Sequence, residues 1–129
     1  MFEIGVIGQF EAAHSLRGDF GPAAQLHGHT YRVELVVRGD RLGPDDTLID
    51  LGVLRPSFDH ALAELNYKYL NQIPSLQGRN STAEVVAEEI CRLVIPTLDA
   101  HAISSVRVQV WESPFVYGAY EVTLERGAV

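Results

Sequence analysis

Cysteine is nearly absent. The 129-residue chain has one, Cys91, which excludes an intrachain disulfide framework. Positive charge is scarce too: 10 Lys and Arg stand against 17 Asp and Glu, a formal charge of −7. The clustered cations that displace counterions from nucleic acid or hold an anionic membrane surface are therefore lacking, although an anionic small molecule can still bind locally. No stretch approaches the ~20 apolar residues of a membrane span. The first segment, MFEIGVIGQFEAAHSL, interrupts its apolar residues with acidic and polar ones where a signal peptide needs a continuous run. Internal repeats, low-complexity tracts and linkers are missing as well. These absences point to a cytoplasmic protein. A composition that is 47% hydrophobic and 21% charged predicts one compact domain over residues 1–129, with a core of its own.

What is present is a pattern whose apolar period changes twice. Residues 2 to 14 alternate, with Phe2, Ile4, Val6, Phe10, Ala12 and His14 on one parity, and 27 to 38 alternate through Tyr31, Val33, Leu35 and Val37. Two antiparallel strands joined by a loop over 15–26 follow. From Leu54 the spacing turns helical, with Leu54, Phe58, Ala61, Leu62 and Leu65 on one stripe, and Pro56 disturbs its first turn. After a loop holding Pro74 and Gly78, Ser81-Thr82-Ala83-Glu84 reads as a capping box with Ser81 as the cap. The helix it opens carries Val86, Ile90, Leu93 and Val94 and should stop near Pro96. Alternation resumes at Val106, Val108, Val110 and Glu112, and a last strand covers roughly 115 to 125. The expected class is α+β in the order ββααββ.

Three of the five histidines fall in AHSLRGDFGPAAQLHGHTYRVEL. Strand side chains alternate faces, so His27 and His29 point the same way across Gly28. His14 shares the parity of its strand's apolar face and stands at the loop end, beside the pair in an antiparallel hairpin. Three convergent neutral imidazoles match a Zn²⁺ site with three protein ligands and an open fourth position. The plain alternative is two hydrogen-bonded strand histidines beside an unrelated third. A cupin would want a glutamate after the pair, but Glu34 falls on the opposite face and the later Gly, Pro and His element is absent. A carbonic-anhydrase-like site needs a larger sheet than two consecutive helices leave room for.

The segments FEAAHSL, LHGHTYRVEL, LIDLGVLR, LNYKYLNQIP, NSTAEVVAEEI and VWESP, in unbroken order over nearly the whole chain, resemble the 6-pyruvoyltetrahydropterin synthase and 6-carboxytetrahydropterin synthase family. The resemblance implies the tunnelling fold: a four-stranded antiparallel sheet with two helices on one face, closing into a barrel by oligomerisation, commonly a homohexamer of two stacked trimers. It implies His14, His27 and His29 as zinc ligands. It implies Glu112 as the anchor of a pteridine, whose exocyclic amine and ring N–H are parallel donors that a carboxylate accepts bidentately. Thr82 would contribute to the pterin pocket from a neighbouring subunit.

The family's proton-transfer groups are replaced. The cysteine four residues before His-Gly-His is Ala23, and the Asp-His pair is Asn66-Tyr67. Alanine is inert and an amide does not titrate, which leaves the Tyr67 phenol as the one candidate catalytic group of the three. Its alternative is an aromatic packed on the helix–sheet interface. Asp59-His60, seven residues earlier on the same helix, has nearly the azimuth of Asn66-Tyr67 at a displacement of roughly 10 Å along the axis, and reads better as a solvated face. Cys91 reads as a small buried side chain. The expected activity is a zinc-dependent lyase acting on 7,8-dihydroneopterin triphosphate or a close relative. The other readings are a different pteridine reaction and a pteridine-binding module without turnover.

Overall fold

The computed structural model describes residues 1–98 and 102–124. Two long strands, β1 (Phe2–His14) and β2 (His27–Gly39), form an antiparallel pair from Phe2↔Gly39 to His14↔His27. Helix α1 (Leu51–Ala63) follows, then a two-residue strand β3 (Lys68–Tyr69), helix α2 (Ala83–Val94), and the hairpin β4 (Ser105–Ser113) and β5 (Val116–Thr123). The sheet order is β3-β1-β2-β4-β5. The expected α+β arrangement is found, with five strands rather than four. The addition is β3, which pairs parallel to β1 only at Ala12↔Lys68 and Ala13↔Tyr69. Residue 125, at the expected end of the last strand, lies outside the described residues.

One sheet face is built in rows across the strands. Val6, Leu35 and Val108 share a row, and Val33 and Val110 another. All five are buried, as period-two patterning requires. Both helices cover this face, and two glycines let them approach. A Cβ on Gly8 would stand 2.7 Å from Leu62 and 3.0 Å from Phe58 of α1, and one on Gly118 would stand 2.8 Å from the backbone nitrogen of Glu84 in α2.

Both helix starts differ from the sequence expectation. Helix α1 begins at Leu51, not Leu54, because Asp50 caps it by accepting from the Gly52 N–H at 2.8 Å. Pro56 then sits inside the helix on its exposed side, where the missing N–H leaves only the Gly52 carbonyl to solvent. The cap of α2 is Thr82, not Ser81: its hydroxyl accepts from the Val85 N–H at 3.3 Å. Ser81 is buried and points elsewhere.

Candidate metal and ligand site

The three imidazoles meet at the end of the β1–β2 hairpin. The register places His14 opposite His27 and Ala12 opposite His29, so a single sheet face presents all three. Ring centroids are 4.5 Å apart for His14–His27, 4.7 Å for His27–His29 and 5.2 Å for His14–His29. One donor nitrogen from each lies within 4.8 Å of the others. A tetrahedral ion with bonds of about 2.1 Å needs its donors about 3.4 Å apart, a difference that small side-chain rotations close.

The orientation of two of the rings has a visible cause. His14 Nδ1 donates to the Ser81 carbonyl at 2.8 Å, and His27 Nδ1 donates to the Gln25 carbonyl at 2.7 Å. A carbonyl only accepts, so both Nδ1 atoms carry the proton and both Nε2 lone pairs are left free. Backbone carbonyls that hold the second ring nitrogen in this way are the usual support of a metal-binding histidine. Nε2 of His29 is buried and has no hydrogen-bond partner among the described residues. Such an orphan is costly unless something outside the chain pairs with it. Burial is the main cause that lowers the pKa of both His14 and His29, with the His27 charge adding to it and Glu112 opposing it. Neutral imidazole is the form that binds a cation, so the residues fit the ion that the sequence implied.

Glu112 enters from β4. The last registered β2–β4 pair is Arg32↔Trp111. One step further the pairing ends: Tyr31 and Glu112 are the next residues on the two strands, and Glu112 lies at a register shift between Trp111 and Ser113. At these strand ends lies a cleft of about 590 Å³, lined by Gly28, His29, Thr30, Arg32, Trp111, Glu112, Ser113 and Pro114. Glu112 and His29 thus border one space of ligand size, and the Glu112 charge acts on His14, His29 and Tyr31.

Tyr67 lies elsewhere. It is 82% exposed, with a left-handed φ of 57°, so the interface-packing alternative does not hold. It shares a second cleft, of about 580 Å³, with Glu11, His29, Thr30, Lys68 and Tyr69. Its N–H donates to the Glu11 carbonyl, and Asn66 Oδ1 accepts from the Glu11 N–H at 2.9 Å. Asn66 and Tyr67 together therefore fasten the edge of β1. The expectation that they share a helix with Asp59-His60 fails: α1 ends at Ala63, and Tyr67 has left-handed backbone. Asp59 pairs with Arg55 at 3.3 Å on the exposed side of α1, and neither it nor His60 lines either cleft. Thr82 does not line them, and Ala23 sits in a short 3₁₀ turn over Gly21–Ala24. Cys91 is buried, its thiol pushed up to about 12 mainly by that burial.

Sequence reasoning missed Ser81 and Asn71. Asn71 holds the chain just after His14, accepting from the Ser15 N–H at 3.0 Å and donating to the Ser15 carbonyl at 2.8 Å. Both contacts link segments more than fifty residues apart, and no local signal marks them.

Residues 3–122 match the family described as 6-pyruvoyl tetrahydropterin synthase. The 6-carboxy-5,6,7,8-tetrahydropterin synthase of Haemophilus influenzae is 30% identical, the comparison covering 94% of this chain and 99% of that protein. The enzyme of the same name from Bacillus subtilis is 33% identical over 92% of this chain and 84% of its own. Among solved structures, the 6-pyruvoyl tetrahydropterin synthase of Caenorhabditis elegans superposes with a TM-score of 0.82 at 20% identity, covering 95% of this chain and 96% of that one. The Plasmodium falciparum protein of that name gives 0.80, also at 20% identity, and covers 95% of this chain and 98% of its own. These two likenesses speak for the fold.

Proposed function

Since the chain belongs to the 6-pyruvoyl tetrahydropterin synthase family, we propose that it is a zinc-dependent pterin lyase of the 6-carboxytetrahydropterin synthase type, acting on 7,8-dihydroneopterin triphosphate or a related pteridine. The observation that carries this reading is the convergence of three imidazoles, one of which, His29, shares a cleft with Glu112. His14, His27 and His29 would hold the metal. A divalent ion there supplies Lewis acidity toward oxygens of a substrate side chain. Glu112 accepts from the exocyclic amine and ring N–H of the pteridine and so sets which end of the substrate faces the histidines. Ser81 and Gln25 keep the His14 and His27 rings in place through their carbonyls. Carbon–carbon cleavage in the retro-aldol sense needs a group that accepts a hydroxyl proton. Tyr67, in the cleft that His29 also lines, is the phenol this chain offers for it.

The working particle in this reading is a homo-oligomer, a hexamer of two trimers in cytoplasm, whose subunit is the whole chain. Its support is the sheet itself. Residues 2–11 of β1 and all of β5 have no strand on their outer side among the described residues, and unpaired edges of that length invite closure. No helix among the described residues is long and apolar enough to cross a membrane. Thr82 would reach a neighbour's pocket only in such an assembly.

One observation favours a second reading, a pteridine-binding module without turnover. Asn66, at the place of a proton-transfer residue, is engaged with the β1 backbone, and Ala23 brings no chemistry. The experiment incubates zinc-loaded protein with dihydroneopterin triphosphate and follows acetaldehyde and triphosphate release, beside a variant carrying Ala23→Cys, Asn66→Asp and Tyr67→His. Release by the parent is expected from a lyase. Release by the restored variant alone would make the parent a binder.

A further inference from the structure

The row of side chains directly beneath the histidines contains a group the proposed reaction does not use. Tyr31 is fully buried. Its ring stacks on Phe10 with centroids 4.7 Å apart and planes within 10°, and its edge meets His29 at 5.2 Å and His14 at 6.0 Å. Its hydroxyl has no hydrogen-bond partner among the described residues. A phenylalanine would fill the same stack without stranding a donor away from water, so the hydroxyl carries a desolvation cost that the packing does not require. Cross-strand geometry supplies a destination. The β2–β4 ladder ends at Arg32↔Trp111, so Tyr31 and Glu112 are the next residues of the two strands, just beyond the last pair and at the register shift between Trp111 and Ser113, and the Glu112 charge acts on Tyr31. Glu112 borders the cleft, and Tyr31 meets the ring of His29, which borders it too.

We propose that Tyr31 is a positioning residue: its hydroxyl donates to the Glu112 carboxylate when a pteridine engages that carboxylate, fixing the anchor's orientation. A carboxylate has about four lone-pair sites. A bidentate pteridine uses one on each oxygen, and the phenol takes one of those that remain. The stack on Phe10 fixes the ring, so the donor is held in place before the ligand arrives and little side-chain freedom is lost on binding. The unpaired hydroxyl of the free protein and the ordered anchor of the complex are two states of one contact. This inference rests on the pterin reading of the cleft.

The test uses zinc-loaded protein and neopterin, followed by its own fluorescence, with parent, Tyr31→Phe, Glu112→Gln and the double variant. Tyr31→Phe is expected to weaken neopterin binding about 10-fold, as loss of a hydrogen bond to a charged acceptor does, and to leave zinc affinity unchanged. It should melt at or above the parent temperature. In the Glu112→Gln background it should cost little more, because its partner is already altered. Unchanged neopterin affinity in Tyr31→Phe, full additivity with Glu112→Gln, altered zinc affinity or a markedly lower melting temperature would each overturn the assignment. A parent that binds no neopterin would instead remove the pterin reading itself, and the assignment with it.

Discussion

Gly118 couples helix packing to the histidine site, and Gly118→Ala measures that coupling. The added methyl would stand 2.8 Å from the Glu84 nitrogen, 2.9 Å from the Ala83 Cβ and 3.0 Å from the Ala83 carbonyl carbon. Two of those atoms are backbone, so relief requires the N-terminus of α2 or strand β5 to shift, not a side chain to turn. Overpacking of this kind costs about 1–3 kcal/mol, which for a chain of this size lowers the melting temperature by roughly 3–12 °C. The start of α2 is also where Ser81 holds His14 Nδ1 at 2.8 Å. If the helix start moves, that contact lengthens, and loss of a partner to a ligating histidine typically lowers metal affinity 10- to 100-fold. Thermal unfolding of metal-free protein reads the first effect, and competition with a zinc chelator reads the second. A variant that melts with the parent refutes the packing argument. One that melts lower yet holds zinc as tightly refutes the coupling through Ser81.

His27→Ala should abolish stoichiometric zinc while leaving the sheet intact, since His27 lies at the end of β2 beyond the buried rows; full zinc by elemental analysis would end the ligand assignment. Glu112→Gln keeps the shape of the anchor but replaces one acceptor oxygen with a donor, so pteridine affinity in calorimetry should fall at least 10-fold with the melting temperature nearly unchanged; equal affinity would remove the anchor. Cys91 has its thiol pushed up to about 12 by burial, so at pH 8 an alkylating reagent should label it only after denaturation. Labelling of the native protein at the rate of a free thiol would show that the α2–β5 packing opens readily.

How much of this was legible beforehand depends on whether the cause is local. Alternation over residues 2–14 and 27–38 is a property of each strand alone, and it placed His14, His27 and His29 on one face before any partner was known. The hairpin then required only that the two strands pair, and the observed His14↔His27 register follows. Tyr31 shares that parity, so its place beneath the histidines was readable in the same pattern; its unpaired hydroxyl was not, because that depends on Phe10 and Glu112.

The cap of α2 shows where local rules stop. Ser81 and Thr82 are both competent caps, and the choice between them is made 67 residues away, where His14 Nδ1 meets the Ser81 hydroxyl as well as its carbonyl and leaves Thr82 to close the helix. The same holds for β3, which exists because Asn66 and Tyr67 bond to Glu11 and draw the next two residues alongside β1. Gly8 and Gly118 are silent in sequence, each an unremarked break in a strand, until the helices that rest on them are present. In each case the missed feature is a long-range contact that supports a side chain whose own position was readable. Local pattern therefore located the three imidazoles, and tertiary contacts decide how firmly they are held. Variants at Ser81 and Gly118 should accordingly change metal affinity without touching a ligand.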